Sequence, residues 1–460
     1  MKNVKRDLAV RLVKAVNPVL MALPFSAAWL LYYAAEAAVP FSGWERLGIP
    51  LLFFLLYVCF GKIYDGFLVS LNRISEMVYS QSLALALSDA FLYVVICLLS
   101  RSAVNPLPLC AGLLVQAVFS LLWSFFAHKW YFAVFPAKKT TIVYDARQGL
   151  EQLVQAYGLD KKFDVRAMVN ARECLAHLDM LRNAEIVFLS GVHSHDRNRI
   201  LKYCVEHDIR VYVIPRIGDV LMSGARSMHM FHLPMLQVGR YRPSPFYLAA
   251  KRGFDIFASG LAVILLSPVF AATAIAVKAT DGGPAFYKQR RLTKDGRVFE
   301  VLKFRSMRVD AEKDGVARLS SGDKDDRITP VGRLIRKVRI DELPQLLNIL
   351  KGDMTICGPR PERPEIAAQY EAEMPEFRLR LQAKAGLTGY AQVYGKYNTT
   401  PYDKLMMDLM YIAKPSFSED LRIMLATVKI LFMKDSTEGV QEGAVTAAED
   451  GKALRTKKSA

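Results

Sequence analysis

Asp341 and Glu342 stand side by side in a stretch whose other charges are mostly positive. Lys288, Arg290, Arg291, Lys303, Arg305, Arg336, Lys337 and Arg360 all fall between Pro284 and Pro361. Such a set suits a polyanion together with a metal ion. Phosphoryl chemistry asks a protein mainly to position the group and neutralise its charge. Arg does this through paired N–H donors, and a divalent cation does it through carboxylate oxygens. A carboxylate can also be the nucleophile and carry a covalent phosphate. Two adjacent acids can then divide the work, one attacking phosphorus and the other holding the metal. A plainer reading also fits. If the segment DELPQLLNIL is a helix beginning at Asp341, the acids cap its positive end, with Pro344 tolerated in the first turn. Spacing alone leaves both readings open.

Length and composition bound the scaffold that must carry these residues. A chain of 460 residues exceeds one ordinary domain, so two or three units are expected. Hydrophobic residues make up 52% of it, and 61 Lys+Arg against 44 Asp+Glu give a formal charge of +17. That balance favours an anionic partner, either a lipid headgroup surface or a phosphorylated substrate. Nucleic acid is discounted, because no recognised binding motif accompanies the charge and the basic residues flank apolar segments. The six cysteines show no C-x-x-C spacing, so neither a zinc site nor a disulfide framework is expected.

Four apolar runs read as membrane spans: 18–39, 47–60, 82–99 and 109–127, the second short enough to require extension into GKIYDGF. Glu36 and Asp89 are the acids inside them, and Asp89, nearer a span's middle, is the weak functional candidate. Lys2, Lys5, Arg6, Arg11 and Lys14 precede the first span, and His128, Lys129, Lys138 and Lys139 follow the fourth. The opposite loops carry only Glu45, Arg46 and Arg101, so both basic flanks are expected on the cytoplasmic side. The amino-terminal stretch reads as an anchor rather than a cleaved signal.

From residue 140 to 240 the pattern becomes α/β, with TIVYD, FDVRAMV, EIVFLS and IRVYVIP as short strands of a small parallel sheet. The first strand runs into DARQG rather than a Gly-x-Gly-x-x-Gly turn, so a degenerate Rossmann-like domain without nucleotide is expected. His193 and His195 lack further ligands at metal spacing and read as loop residues. Residues 241–250 read as a linker. The apolar stretch after it, between Arg252 and Lys278, is about the length of a span. It is basic at both ends, and residues 278–316 carry ten Lys/Arg against six Asp/Glu, which opposes translocation. Pro268 disfavours a straight helix there, and Ser267 can bond a freed carbonyl. A hairpin that enters the membrane and returns, over 251–280, is therefore expected. The segment FSEDLRIMLATVKILFMK reads as an interfacial helix, with a buried core helix as the competing reading. Residues 435–460 read as a disordered tail.

KFRSM, LIRKVRIDELPQLLNILKGDMTICGPRP and AGLTGYAQVYG, over roughly 251–433, resemble the bacterial sugar transferases, the polyprenyl-phosphate hexose-1-phosphate transferases. The four spans and the α/β segment resemble the long members of that family. The resemblance implies a membrane protein of class α + α/β. Residues 1–139 would be a transmembrane four-helix region, 140–240 a Rossmann-like domain, and 251–434 a mainly α catalytic domain with a re-entrant helix broken at Ser267–Pro268. It further implies that Asp341 attacks the sugar-linked phosphorus of a UDP-sugar, expelling UMP, and that undecaprenyl phosphate then takes the sugar-phosphate. Glu342 would hold Mg2+. Arg360, flanked by Pro359 and Pro361, would contact phosphate, Arg336 would bind anion, and Lys303 and Arg305 would serve the substrate site. The resemblance also implies a homodimer in the bacterial inner membrane. Arg339, Cys357, Tyr390 and Tyr394 depart from the family pattern, which leaves the identity of the sugar open. The alternative is a non-catalytic membrane scaffold or regulator of polysaccharide assembly.

Overall fold

Four long helices open the chain: α1 (Lys2–Ala28), α2 (Gly48–Ile63), α3 (Ile74–Ser100) and α4 (Leu107–Val134). The structure, a computed structural model, describes residues 2–38, 43–145, 147, 149–309, 327–395 and 399–431. Residues 435–460, read from sequence as a disordered tail, lie outside them. Among the described residues, the single helical stretches long and apolar enough to cross a bilayer are Arg6–Tyr33, Gly43–Ile63, Ile74–Ser100 and Leu107–Val134. At 1.5 Å of rise per residue, each can cover about 30 Å of hydrocarbon. Several boundaries differ from the sequence reading. The first span begins near Arg6 rather than residue 18, because Lys and Arg are good helix formers whose long stems reach an interface from within a helix. The second extends backwards through the turn Gly43–Leu47 and, as expected, runs forward into GKIYDGF, ending at Ile63.

The bundle interior carries a polar seam. Tyr57 Oη donates to Asn17 Oδ1 (2.8 Å), Asn17 Nδ2 to Gln81 Oε1 (3.1 Å) and Ser120 Oγ to the same Gln81 oxygen (2.8 Å). These bonds tie all four helices together where apolar side chains gain little over lipid. Asp89 also faces the bundle interior and is buried.

Four parallel strands follow within the same compact unit, which spans 1–214. They are β1 (Lys138–Tyr144), β2 (Phe163–Asn170), β3 (Ile186–Ser190) and β4 (Arg210–Val213), in the order β2-β1-β3-β4. Helix α5 (Ser194–Glu206) packs Ile200 and Cys204 against Val143, Val187 and Leu189. The four short segments TIVYD, FDVRAMV, EIVFLS and IRVYVIP thus form the parallel sheet expected of them. His193 occupies the N-cap position of α5, its ring 3.8 Å from the Asp145 carboxylate.

The second compact unit begins at Pro215. Helix α6 (Pro245–Leu265) starts inside the stretch read as a linker, because Ser244 Oγ accepts the Tyr247 N–H and Pro245 fits the first turn. It is followed by α7 (Ser267–Asp281) at a bend of 62°. Ser267 Oγ donates to the Ile264 carbonyl (2.8 Å), satisfying an acceptor at the break. The polar side of α6 grips the rest of the unit. Arg252 donates to the carbonyls of Ile349 (2.6 Å) and Leu350 (2.7 Å), while Asp255 accepts from Thr355 Oγ1 (2.7 Å) and Ile356 N (3.0 Å). Lys251 Nζ reaches Asp420 (2.6 Å) and Tyr411 Oη (3.1 Å). The opposite side exposes Phe257, Ile264 and Leu265.

An antiparallel hairpin, β5 (Phe286–Leu292) and β6 (Val298–Phe304), precedes α8 (Pro330–Lys337), α9 (Gln345–Lys351) and the short strand β7 (Thr355–Cys357). Strand β8 (Gly386–Thr388) pairs parallel with β7. Helices α10 (Pro401–Ala413) and α11 (Phe417–Leu431) close a core of Leu405, Leu409 and Ile423. Asp420, Ile423 and Ala426 of α11 are buried, so one face of the segment read as interfacial is a core face.

Candidate active site

The acid pair does not begin a helix. Ile340–Glu342 is a single 3-10 turn and α9 starts only at Gln345, after Pro344. The reading of Asp341 and Glu342 as caps on a DELPQLLNIL helix is thereby corrected. The turn is set by Arg339, whose backbone is left-handed (φ 54°) and reverses the chain between α8 and the pair. That conformation costs an L-residue about 1–2 kcal/mol.

Glu342 is the meeting point of the site. Its Oε1 accepts from Lys303 Nζ (3.0 Å) on β6 and from Arg360 Nη2 (3.3 Å) in the Gly-Pro-Arg-Pro loop. Residues separated by 57 positions in sequence are thus brought onto one carboxylate oxygen. Burial would raise this carboxyl, but the two cations outweigh it and hold it well below the ordinary range. Asp341 goes the other way. It is buried, and desolvation followed by the Glu342 charge pushes its carboxyl up to about 6, against the opposing pull of Lys303, Arg336 and Arg339. Adjacent acids with divergent proton affinities mark a division of roles.

The cavity beside Glu342 is lined by Arg291, Lys303, Gln345, Arg360, Pro361 and Gly386 among others. Arg360 is anchored from behind, since Arg380 Nη2 donates to its carbonyl (2.7 Å) and pairs with buried Asp408 (2.6 Å). Arg291 donates to the Pro361 carbonyl (3.0 Å). The loop is also tied to β8, with Gly358 N bonding the Thr388 carbonyl (2.8 Å) and Gly386 N the Pro359 carbonyl (2.9 Å). The two glycines pass so closely that a Cβ on Gly386 would stand 2.2 Å from Gly358 N. This accounts for the glycines of the GPRP and AGLTG motifs. Gly386→Ala is therefore expected to cost about 3 kcal/mol through overpacking against backbone, read as a lowered thermal midpoint.

Of the sequence candidates, Glu342, Lys303, Arg360 and Pro361 line the cavity, with Asp341 next to Glu342 in the chain and within the field of the same cations. Pro359 supplies the carbonyl that holds β8, and Arg336 acts on Asp341 through its charge. Arg305 is buried against Asp281 at the end of α7 and is not among the lining residues. Arg291, Gln345 and the Arg380–Asp408 pair were not singled out for the site from sequence. Arg291 lay in the basic cluster, but nothing in spacing reveals which basic residue a hairpin turns inward. Ser267 and Pro268 sit at the helix bend rather than at this cavity.

Among the described residues, no group of three or more His, Cys, Asp or Glu gathers as a metal cage. That does not disfavour Mg2+, which keeps waters and takes one or two carboxylates plus substrate phosphates. The adjacent carboxylates of Asp341 and Glu342, with Glu342 at the cavity wall, fit such a partial donor set.

Comparison with known proteins gives a consistent picture. The family model described as bacterial sugar transferase matches residues 246–434. A UDP-N-acetylgalactosamine-undecaprenyl-phosphate N-acetylgalactosaminephosphotransferase of Aeromonas hydrophila is 39% identical over 236 residues, 51% of this chain and 55% of that protein. A UDP-glucose:undecaprenyl-phosphate glucose-1-phosphate transferase of Caulobacter vibrioides is 41% identical over 191 residues, 40% of this chain and 71% of that protein. One of the same description from Escherichia coli is 36% identical over 212 residues, 45% of this chain and 44% of that protein. The match therefore spans about half the length of the Aeromonas and Escherichia relatives.

Proposed function

The chain belongs to the bacterial sugar transferase family, and from that premise we propose that it transfers a sugar 1-phosphate from a UDP-sugar to undecaprenyl phosphate. The observation that carries this reading is the site itself: a carboxylate gripped by Lys303 and Arg360 at a cationic cavity, next to a second carboxyl of raised proton affinity. The Asp341 carboxylate turns toward the cavity and attacks the sugar-linked phosphorus. The bond from that phosphorus to the diphosphate bridging oxygen breaks and UMP leaves. An oxygen of undecaprenyl phosphate then attacks the same phosphorus, the bond to Asp341 breaks, and undecaprenyl-diphosphate-sugar is formed. Lys303, Arg360 and Arg291 hold the phosphate oxygens during both displacements. Mg2+ held by Glu342 would neutralise diphosphate charge when bound.

The product suits the first membrane step of exopolysaccharide, capsule or O-antigen synthesis. In this reading the protein resides in the bacterial inner membrane as a homodimer, with the catalytic unit on the cytoplasmic side. Helices α6 and α7 form a re-entrant hairpin, supported by the 62° bend and by apolar side chains exposed opposite a gripped polar side. The middle domain is Rossmann-like and serves assembly or regulation.

The test is nucleotide release from a panel of UDP-sugars with undecaprenyl phosphate and Mg2+. UMP supports the proposal, whereas UDP would show transfer of the sugar alone. Because Asp341 must be ionised to attack, kcat/KM is expected to fall as pH drops through about 6, well above the ordinary carboxylate range. Arg339→Gly relieves the left-handed backbone and removes a cation that favours ionised Asp341. It is expected to stabilise the fold by about 1 kcal/mol and to move the acid limb of the pH profile upward.

A further inference from the structure

We propose that the cleft between α1 and α2 is a binding site for an anionic glycerophospholipid, its phosphate at Lys14 and Lys62 and an acyl chain along the apolar wall below. The cleft is a cavity of about 440 Å³. Pro18, Phe54, Val58 and Phe67 form apolar wall, and Lys14, Lys62 and Asp65 supply the charged lining. Its shape depends on Gly61, where a Cβ would stand 2.5 Å from the Phe67 ring.

The charged lining belongs to the end of the bundle on which the α/β domain rests. Lys162 Nζ donates to Ser70 Oγ (3.1 Å), and Arg73 Nη2 donates to the Ala156 carbonyl (2.7 Å). Further cations converge there. Burial lowers the proton affinity of Lys162, and Arg210, Lys138 and Lys14 lower it further by repulsion. Lys14, Lys62, Lys138 and Arg210 make no ion pair among the described residues. Cations gathered in excess of the one lining carboxylate create a positive potential that an anion relieves.

The ligand class follows from combining this charge with the walls. A soluble anion would leave an apolar cavity in membrane-spanning helices unfilled, whereas a lipid fills it with its chain while its headgroup meets the lysines. Basic pockets between membrane helices are recurrent acidic-lipid sites. Two lysines and Asp65 leave one net positive charge in the lining, which matches the single charge of a phosphodiester. A phosphomonoester carries nearly two.

The test measures lipid binding to the full chain in detergent by native mass spectrometry, with phosphatidylglycerol as the probe and phosphatidylcholine and undecaprenyl phosphate as comparisons. Phosphatidylglycerol is expected to bind in preference to both. Lys14→Gln with Lys62→Gln is expected to weaken it roughly 30-fold, while Lys14→Arg with Lys62→Arg retains it. Val58→Trp, which obstructs the wall without altering charge, is expected to weaken it as well and guards against a misfolded double variant. Equal binding of phosphatidylcholine, unchanged affinity in the glutamine pair, or preference for undecaprenyl phosphate would each overturn the proposal.

Discussion

Asp341→Asn is expected to reduce UMP release from a UDP-sugar by about 10⁴-fold or more, the scale on which loss of a nucleophile is felt. The amide keeps the volume of the carboxylate but cannot form the acyl phosphate, so donor binding should survive while turnover does not. A second consequence separates this residue from an ordinary structural acid. Its carboxyl is raised from 3.8 to about 6 in the folded protein. The folded state therefore holds a proton that the unfolded state releases between those values. The resulting stabilisation is complete below about 4 and is lost as pH rises through about 6. Native protein is thus disfavoured at neutral pH by the ionised Asp341 carboxylate. The Asn variant should be the more stable protein at pH 7.5, with the difference closing toward pH 4, which thermal denaturation across pH will show.

Glu342→Gln is expected to lower kcat by about 10²-fold or more, with KM unchanged or reduced. The split in kinetic constants is the informative part. In the native site Lys303 and Arg360 are bound to the Glu342 carboxylate. Removing its charge frees both for the phosphates of the donor, so ground-state binding need not suffer while the carboxylate proposed to hold Mg2+ is lost. The Lys303 side chain is only 21% exposed, and leaving it without its counter-charge should cost about 1–3 kcal/mol of stability. Arg360, at 42%, is solvated well enough to add little. Steady-state kinetics with saturating undecaprenyl phosphate distinguishes this outcome from simple loss of donor affinity, which would raise KM.

Much of the architecture was legible because its signals are local. Long apolar runs gave the four span-length helices, and short β-rich runs separated by helical stretches gave the parallel sheet. Span ends were less legible. Basic residues and a short 3-10 turn continue helical structure beyond the apolar run that hydropathy detects. At the site, residue types and motif order picked out Asp341, Glu342, Lys303 and Arg360, and the fold brings the last two onto Glu342. What could not be read was tertiary. The Arg380–Asp408 pair that anchors Arg360 joins segments with no shared motif, and Arg305 and Lys303 differ in fate although two residues apart. Alternation in β6 turns both to the same side, but Arg305 lies just beyond the strand and is captured by Asp281. Sequence spacing could not decide between a helix start and a separate turn for the acid pair, because the left-handed turn at Arg339, which a glycine or asparagine would have advertised, is made by an arginine.

The most direct measurement is the mass of the peptide containing Asp341 after brief incubation of the protein with a UDP-sugar and Mg2+ in the absence of undecaprenyl phosphate. The account predicts an adduct of one sugar-phosphate on Asp341, formed together with one equivalent of UMP and discharged when undecaprenyl phosphate is added. Stoichiometric turnover with no adduct at any time, or an adduct that persists in Asp341→Asn, would contradict it.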